Sequence, residues 1–190
     1  LGLYGPVSIG LLEGERLPYA DGLVNLVVNS APGAVADTEI QRVLAPGGSL
    51  LTKTADGWAL SRKPVPADTD GWQHALHGAD NNAVAADERV GPPRRVQWVA
   101  EPRNTRHHEH LASVSAVVSS GGRLVYIADE APIMSMFLRP QWSVICRDAY
   151  NGVTLWKRPI QSWESYMRSF RSGPPELCRR LVATDAAVYV

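Results

Sequence analysis

Residues 145–156 read ICRDAYNGVTLW, and their pattern decides the fold of the larger part of the chain. Ser143, Ile145 and Arg147 alternate with Val144 and Cys146, which places successive side chains on opposite faces of a strand. Residues 148–152, DAYNG, supply turn chemistry, and VTLW at 153–156 resumes a β-prone run that closes on a tryptophan. Strand, tight turn and strand predict an antiparallel hairpin. Upstream, SAVVSSGGRLVYIA at 115–128 gives two more β-rich runs broken by Gly121 and Gly122, and RLVATDAAVYV at 180–190 begins the pattern again. The spacing predicts repeated antiparallel sheets.

This pattern resembles the quinoprotein, or PQQ-like, β-propeller family, whose blades carry Ala-x-Asp-x-x-Thr-Gly-x-x-x-Trp in their last hairpin. Asp148, Gly152 and Trp156 fall on the motif, while Arg147 and Asn151 replace neighbours of it. Gly152 suits the positive φ of the turn, and the resemblance implies that Trp156 docks between blades. DGWQHALHGADNNAVAADERVGPPRRVQW at 70–98 adds to it. It looks like the lead-in of such a propeller, where a tryptophan, an asparagine-containing loop and a Gln-Trp pair precede the first full blade. Only about one blade and the edge of the next are encoded, whereas a ring closes on several. The expectation is a partial, open propeller with exposed apolar surface, and pyrroloquinoline quinone enters only if further blades supply its ligands.

The first part of the chain has a different grammar. VSIGLL at 7–12 is a short apolar run, LPYADG at 17–22 a turn-rich loop, and LVNLVV at 23–28 a nearly continuous hydrophobic strand of the kind covered on both faces. DTEIQRVL at 37–44 predicts a helix, with Asp37 as N-cap, Ile40, Val43 and Leu44 on one face, and Pro46-Gly47-Gly48 as its stop. SLLTK at 49–53 makes another strand, so the order predicts a parallel βαβ unit with a right-handed crossover.

LPYADG, LVNLVV and RVLAPGGSLL, in this order and spacing, resemble the C-terminal half of a class I S-adenosylmethionine-dependent methyltransferase. The resemblance implies that Glu13 sits where an acidic residue contacts the adenine edge, with Leu17 and Tyr19 on the loop beside it, while Pro46 to Gly48 only shape a turn. The glycine-rich cofactor loop and the ribose-binding acid of that family are not among these residues, and Asn25 stands where the central strand often begins with Asp. Methyl transfer is therefore expected of a longer parent rather than of this chain alone. A plainer alternative stands beside it: LPYADG is a turn, Glu13 a solvated acid, and Pro46-Gly47-Gly48 a terminator found in any α/β fold.

TADGWALSR at 54–62 predicts a hairpin turning on Asp56-Gly57, and Pro64-Val65-Pro66 begins a stiff polar linker. These boundaries divide the chain into a partial α/β piece at 1–63, a linker at 64–70 and a partial all-β propeller at 71–190. The chain opens without Met and stops at Val190 inside a β run, so a fragment of a fusion protein is expected.

Composition sets outer bounds. Hydrophobic residues make up 45% and charged residues 20%, which is ordinary for a globular chain. Lysine plus arginine balance aspartate plus glutamate at 19 each, so no overall field favours nucleic acid or an anionic membrane. No apolar run reaches the length of a membrane-spanning helix. Cys146 and Cys178 stand far apart without metal-ligand spacing and read as small buried hydrophobes.

All five histidines fall at 74–110. His107, His108 and His110 surround Glu109, and His74 and His77 are three apart; such side chains can bind zinc, copper or iron. On a strand His108 and His110 share a face, and on a helix His74 and His77 are neighbours. No known metal motif matches, and the alternative is polar loop residues packing beside Trp72 and Trp98. The arginine pairs Arg94-Arg95 and Arg179-Arg180 suggest solvated or ion-paired surface. Ser113, Ser115, Ser119 and Ser120 lack a Gly-x-Ser-x-Gly elbow and do not carry a hydrolase.

Overall fold

The Gly121-Gly122 pair takes φ of 55° and 71°, the left-handed conformation that a two-residue hairpin loop requires, and from it the C-terminal sheet grows in both directions. In this computed structural model the described residues are 7–89, 91–92, 96–101, 113–132, 139–161, 163 and 176–190. They divide into two compact units, Leu1–Val65 and Pro66–Val190.

The first unit is a three-stranded sheet. β1 (Val24–Asn29) pairs parallel with β2 (Leu44–Thr54), α1 (Asp37–Val43) connects them, and β3 (Gly57–Arg62) pairs antiparallel with β2. The predicted parallel strand-helix-strand unit is present, but three details differ from the sequence expectation. Asp37 is not the N-cap; Ala36 holds that position without a side-chain hydrogen bond, and Asp37 lies in the first turn, where its charge favours the positive end of the helix. Pro46-Gly47-Gly48 does not end the helix. Leu44 is already extended, and Gly47 at φ 76° lets β2 run on, its N–H donating to the Lys63 carbonyl. The hairpin turns on Ala55-Asp56 rather than Asp56-Gly57, because Gly57 is paired with Thr54 as the first residue of β3.

The core of this unit is small. Ile40 and Leu44 pack with Leu50, Val27 and Val35 on the face that α1 covers. On the other face Val28, Leu51 and Leu60 stand in one cross-strand row, with Val28 55% and Leu60 62% exposed. Lys63 closes the helix end by donating to the carbonyls of Gln41 and Leu44 at 2.6 and 2.7 Å.

The second unit carries a four-stranded antiparallel meander, β4 (Val114–Ser120), β5 (Arg123–Asp129), β6 (Trp142–Asp148) and β7 (Thr154–Pro159). A 3₁₀ turn at Leu177–Arg180 leads to a two-stranded sheet, β8 (Val182–Ala183) with β9 (Val188–Tyr189). One face of the meander contributes Ala116, Val118, Val125, Ile127, Val144 and Cys146 to a core completed by Trp163, Leu177, Leu181 and Ala183. Tyr126, Ala128 and Ile145 are buried on the opposite face.

Among the described residues the protein is mostly β, with open sheets of three, four and two strands and one α-helix. Of the partial Rossmann-like α/β fold expected for the first 63 residues, the described residues show only a single seven-residue helix on a mixed three-stranded sheet. No described helix is long and apolar enough to cross a membrane.

The β6–β7 turn is shaped as its residues dictate. Asp148 Oδ1 accepts from the N–H groups of Tyr150 and Asn151 at 2.8 and 3.2 Å, and Gly152 takes φ of 74°. Trp98 packs over Gly152, and its Nε1 donates to the Ala149 carbonyl at 3.0 Å while Gln97 Nε2 donates to that of Tyr150 at 3.2 Å. The tryptophan that docks on this turn is therefore Trp98, whereas Trp156 on β7 stays 36% exposed.

A Cβ at position 152 would meet Cδ2 and Cζ3 of the Trp98 indole at 2.7 and 2.9 Å, in a backbone conformation that side chains rarely adopt. Gly152→Ala is expected to cost about 2–4 kcal/mol in urea denaturation, from overpacking together with left-handed strain. Combining it with Trp98→Ala removes the clash, so the double variant should lose less than the sum of the two single variants.

Candidate functional site

In the N-terminal unit the loop that the methyltransferase resemblance singles out is tied to α1 by one arginine. Arg42 lies in the last turn of α1, three residues after Glu39, so both project from one side of the helix. Arg42 Nε and Nη2 grip the Glu39 carboxylate at 2.8 and 2.6 Å. Nη1 reaches Asp21 Oδ1 at 2.6 Å and the Tyr19 carbonyl at 2.9 Å, and Nη2 also reaches the Leu17 carbonyl at 3.1 Å. Glu39 Oε1 in turn accepts from the Leu17 N–H at 2.7 Å. The planar, five-donor guanidinium is the side chain suited to this work, since it serves a carboxylate in two parallel bonds and still satisfies backbone oxygens.

The electrostatic consequence falls on Glu39. The Arg42 hydrogen bonds and the Leu17 N–H hold its carboxyl down at about 2, from an ordinary 4.5, and Arg42 is pushed upward by the same pairing with Glu39 and Asp21. The two side chains are 14% and 19% exposed, so the pair is screened only in part.

Of the residues predicted to touch S-adenosylmethionine, Leu17 and Tyr19 are brought together in this clamp and Glu13 is not. Glu13 is exposed and makes no hydrogen bond or ion pair among the described residues, which leaves its carboxylate free to accept from an amine. Tyr19 is half exposed, so its ring is accessible while its carbonyl is held by Arg42. The main-chain N–H of Leu17 is committed to Glu39 and is not available to a ligand.

In the C-terminal unit the lead-in segment folds around Asp70. Its carboxylate accepts from the N–H groups of Gly71 at 2.7 Å and Ala86 at 2.9 Å and contacts His77 Nε2 at 2.6 Å. These partners, the Ala86 N–H foremost, keep Asp70 below the usual carboxylate range. Arg89 pairs with Asp68 at 2.8 Å across the ends of the loop. His74 and His77 do not share a helix face: they form a two-residue bridge in which each backbone N–H bonds the other's carbonyl, and His77 is left at φ 68°. The His77 ring stands edge-on to Trp72 at 5.4 Å, and His74 Nδ1 is buried without a hydrogen-bond partner among the described residues.

An aspartate that orients an imidazole is half of a general-base arrangement. Among the described residues no serine is hydrogen-bonded to His77. Ser115 Oγ accepts from Trp163 Nε1, Ser119 Oγ accepts from the Trp72 N–H, and Ser120 Oγ donates to Asp185 Oδ1. Among the described residues no group of three or more His, Cys, Asp or Glu side chains is placed to hold a metal ion. His107, His108 and His110 lie outside the described residues, as do Arg94 and Arg95.

The structure adds residues that the sequence did not single out. Glu39 and Arg42 carry a visible signal, an acid and a base three apart on a short helix, but their bonds to residues 17–21 depend on chain reversal and not on any local pattern. No family model, no curated protein and no solved structure matches the chain.

Because Glu39 titrates lower in the folded chain than in an unfolded one, its contribution is complete above about pH 4.5 and is lost as pH falls toward 2. The urea midpoint of the N-terminal unit should be flat from neutrality down to that window and then fall. Glu39→Gln should flatten this acid limb, and Arg42→Ala should lower the midpoint at neutral pH.

Proposed function

We propose that the N-terminal unit belongs to an S-adenosylmethionine-dependent methyltransferase domain of a longer parent protein, and that residues 13–19 serve its adenine pocket. The supporting observation is the Arg42 clamp, which fixes the backbone of Leu17 and Tyr19 against α1 and leaves the Glu13 carboxylate and the Tyr19 ring accessible. A loop held by its backbone presents its side chains at little ordering cost when a ligand arrives. The parallel β1–α1–β2 unit and the apolar row of Val28, Leu51 and Leu60 accord with a sheet that continues under further cover.

On this reading Glu13 accepts a hydrogen bond from the adenine amine and Tyr19 packs beside the base. S-adenosylmethionine supplies the activated methyl group. The residues that would hold its ribose and methionine moieties are sought in the parent.

The C-terminal meander favours a second role in the same parent. We propose a scaffold of the quinoprotein-like propeller kind, supported by the four-stranded antiparallel blade followed by a new hairpin that packs on its face through Leu181 and Ala183. Its service is to present a binding surface for a small molecule or protein, with pyrroloquinoline quinone as the cofactor that the resemblance would bring. Dye-linked alcohol oxidation and visible absorbance of the purified parent separate the quinoprotein from the plain scaffold.

Equilibrium dialysis of the full natural polypeptide against labelled S-adenosylmethionine tests the first proposal. Saturable binding is expected, weakened about tenfold or more by Glu13→Ala, as for a lost hydrogen bond to a charged acceptor. Absence of binding removes the methyltransferase assignment, and binding indifferent to Glu13→Ala removes the adenine contact.

A further inference from the structure

Arg147 is a buried cation in an unusual situation. It sits at the end of β6 with only 9% of its surface exposed, and its three hydrogen bonds all go to uncharged acceptors. Nε donates to Tyr126 Oη at 2.8 Å, Nη1 to the Gly152 carbonyl at 2.7 Å and Nη2 to the Glu101 carbonyl at 2.9 Å. Its guanidinium also stands 6.0 Å from the Tyr126 ring centroid. Among the described residues no carboxylate lies within ion-pair distance; the adjacent Asp148 accepts instead from the N–H groups of Tyr150 and Asn151. A desolvated charge that meets dipoles but, among the described residues, no counter-charge is costly.

Arg147 also borders a cleft of about 650 Å³. Asn151, Gly152, Thr154 and Glu101 are among its other walls, and the Glu101 side chain is exposed. Five guanidinium N–H groups less three in use leave two, one on each terminal nitrogen. Two such donors are what a carboxylate or phosphate needs for a paired grip. Thr154 lies directly across the β6–β7 ladder from Arg147, so its hydroxyl stands on the same face and offers a further donor.

We propose that this cleft is a binding site for a small oxyanion, a carboxylate or a phosphate, with Arg147 as the residue that recognises the charge. The occupant supplies the counter-charge that the described residues do not, and Thr154 and Asn151 give it polar walls.

Calorimetric titration of the protein at low ionic strength with succinate, and separately with inorganic phosphate, tests this. Saturable heat with at least one of them is expected, absent with chloride, and the stronger of the two names the preferred oxyanion. Arg147→Lys keeps the charge but loses the forked geometry and should weaken binding about tenfold or more. Thr154→Glu places a carboxylate opposite Arg147 from an exposed position. It should raise the melting temperature and abolish binding of both anions, which decides the matter even if Arg147→Lys does not fold. No saturable heat with either anion, or binding unaltered in Thr154→Glu, overturns the proposal.

Discussion

Pairing of β5 with β6 is the constraint on which the C-terminal unit depends. The two strands match residue for residue from Arg123 with Asp148 to Asp129 with Trp142, without a bulge. Both are buried on both faces, so a slip by one residue would exchange Val125, Ile127, Val144 and Cys146 with Leu124, Tyr126, Ile145 and Arg147. Such a slip would carry the guanidinium into the main apolar core. Irregularity is confined to the outer pairs, where β4 shifts near Val114 and β7 shifts after Cys146. The second of these shifts lies beside Arg147 and opens the turn on which Trp98 rests.

The N-terminal unit is held by a different kind of contact. Its apolar core is small, and polar bonds take a larger share in fixing the chain path. Arg42 joins loop and helix, Lys63 joins the last strand to the helix end, and backbone bonds from Gly22 and Leu23 to the carbonyls of Arg42 and Val43 complete the seam. Such bonds fix direction and register better than they supply net stability, because water competes for the same groups. The geometry of residues 17–21 is accordingly sensitive to acid.

Most of the strands were legible because their signals are local. Alternation in 143–147, the Gly121-Gly122 pair and the Asp148 turn each act within a few residues, and the structure has hairpins at these places. The parallel β1–α1–β2 order was legible for the same reason. Misplaced details arose where two nearby residues were equally suited to one role. Asp37 could cap a helix, but the chain is already helical there; Asp56-Gly57 could form a turn, but pairing of Thr54 with Gly57 moves the loop back by one residue. The seat of Trp98 over Gly152 was not legible, because only chain reversal brings the two together. Arg42 and Arg147 were illegible as organising residues because two acceptors of each are main-chain oxygens, which every position carries and no side-chain pattern reveals. The fold class of the first unit was read more richly than the structure bears out, since one short helix is all that the described residues contribute.

The outer strands of the two sheets are guarded unequally. β7 ends in Lys157, Arg158 and Pro159, and β3 runs into Arg62, Lys63 and Pro64, so charge and a missing N–H discourage another chain from adding to either edge. β1 has no such gatekeeper: its sequence VNLVVN is uncharged, without proline, and exposes Leu26 and Val28. Mispairing between molecules is therefore favoured at β1, and also at the outer strand β4, whose sequence VSAVVSS is likewise uncharged and exposes Val114 and Val117.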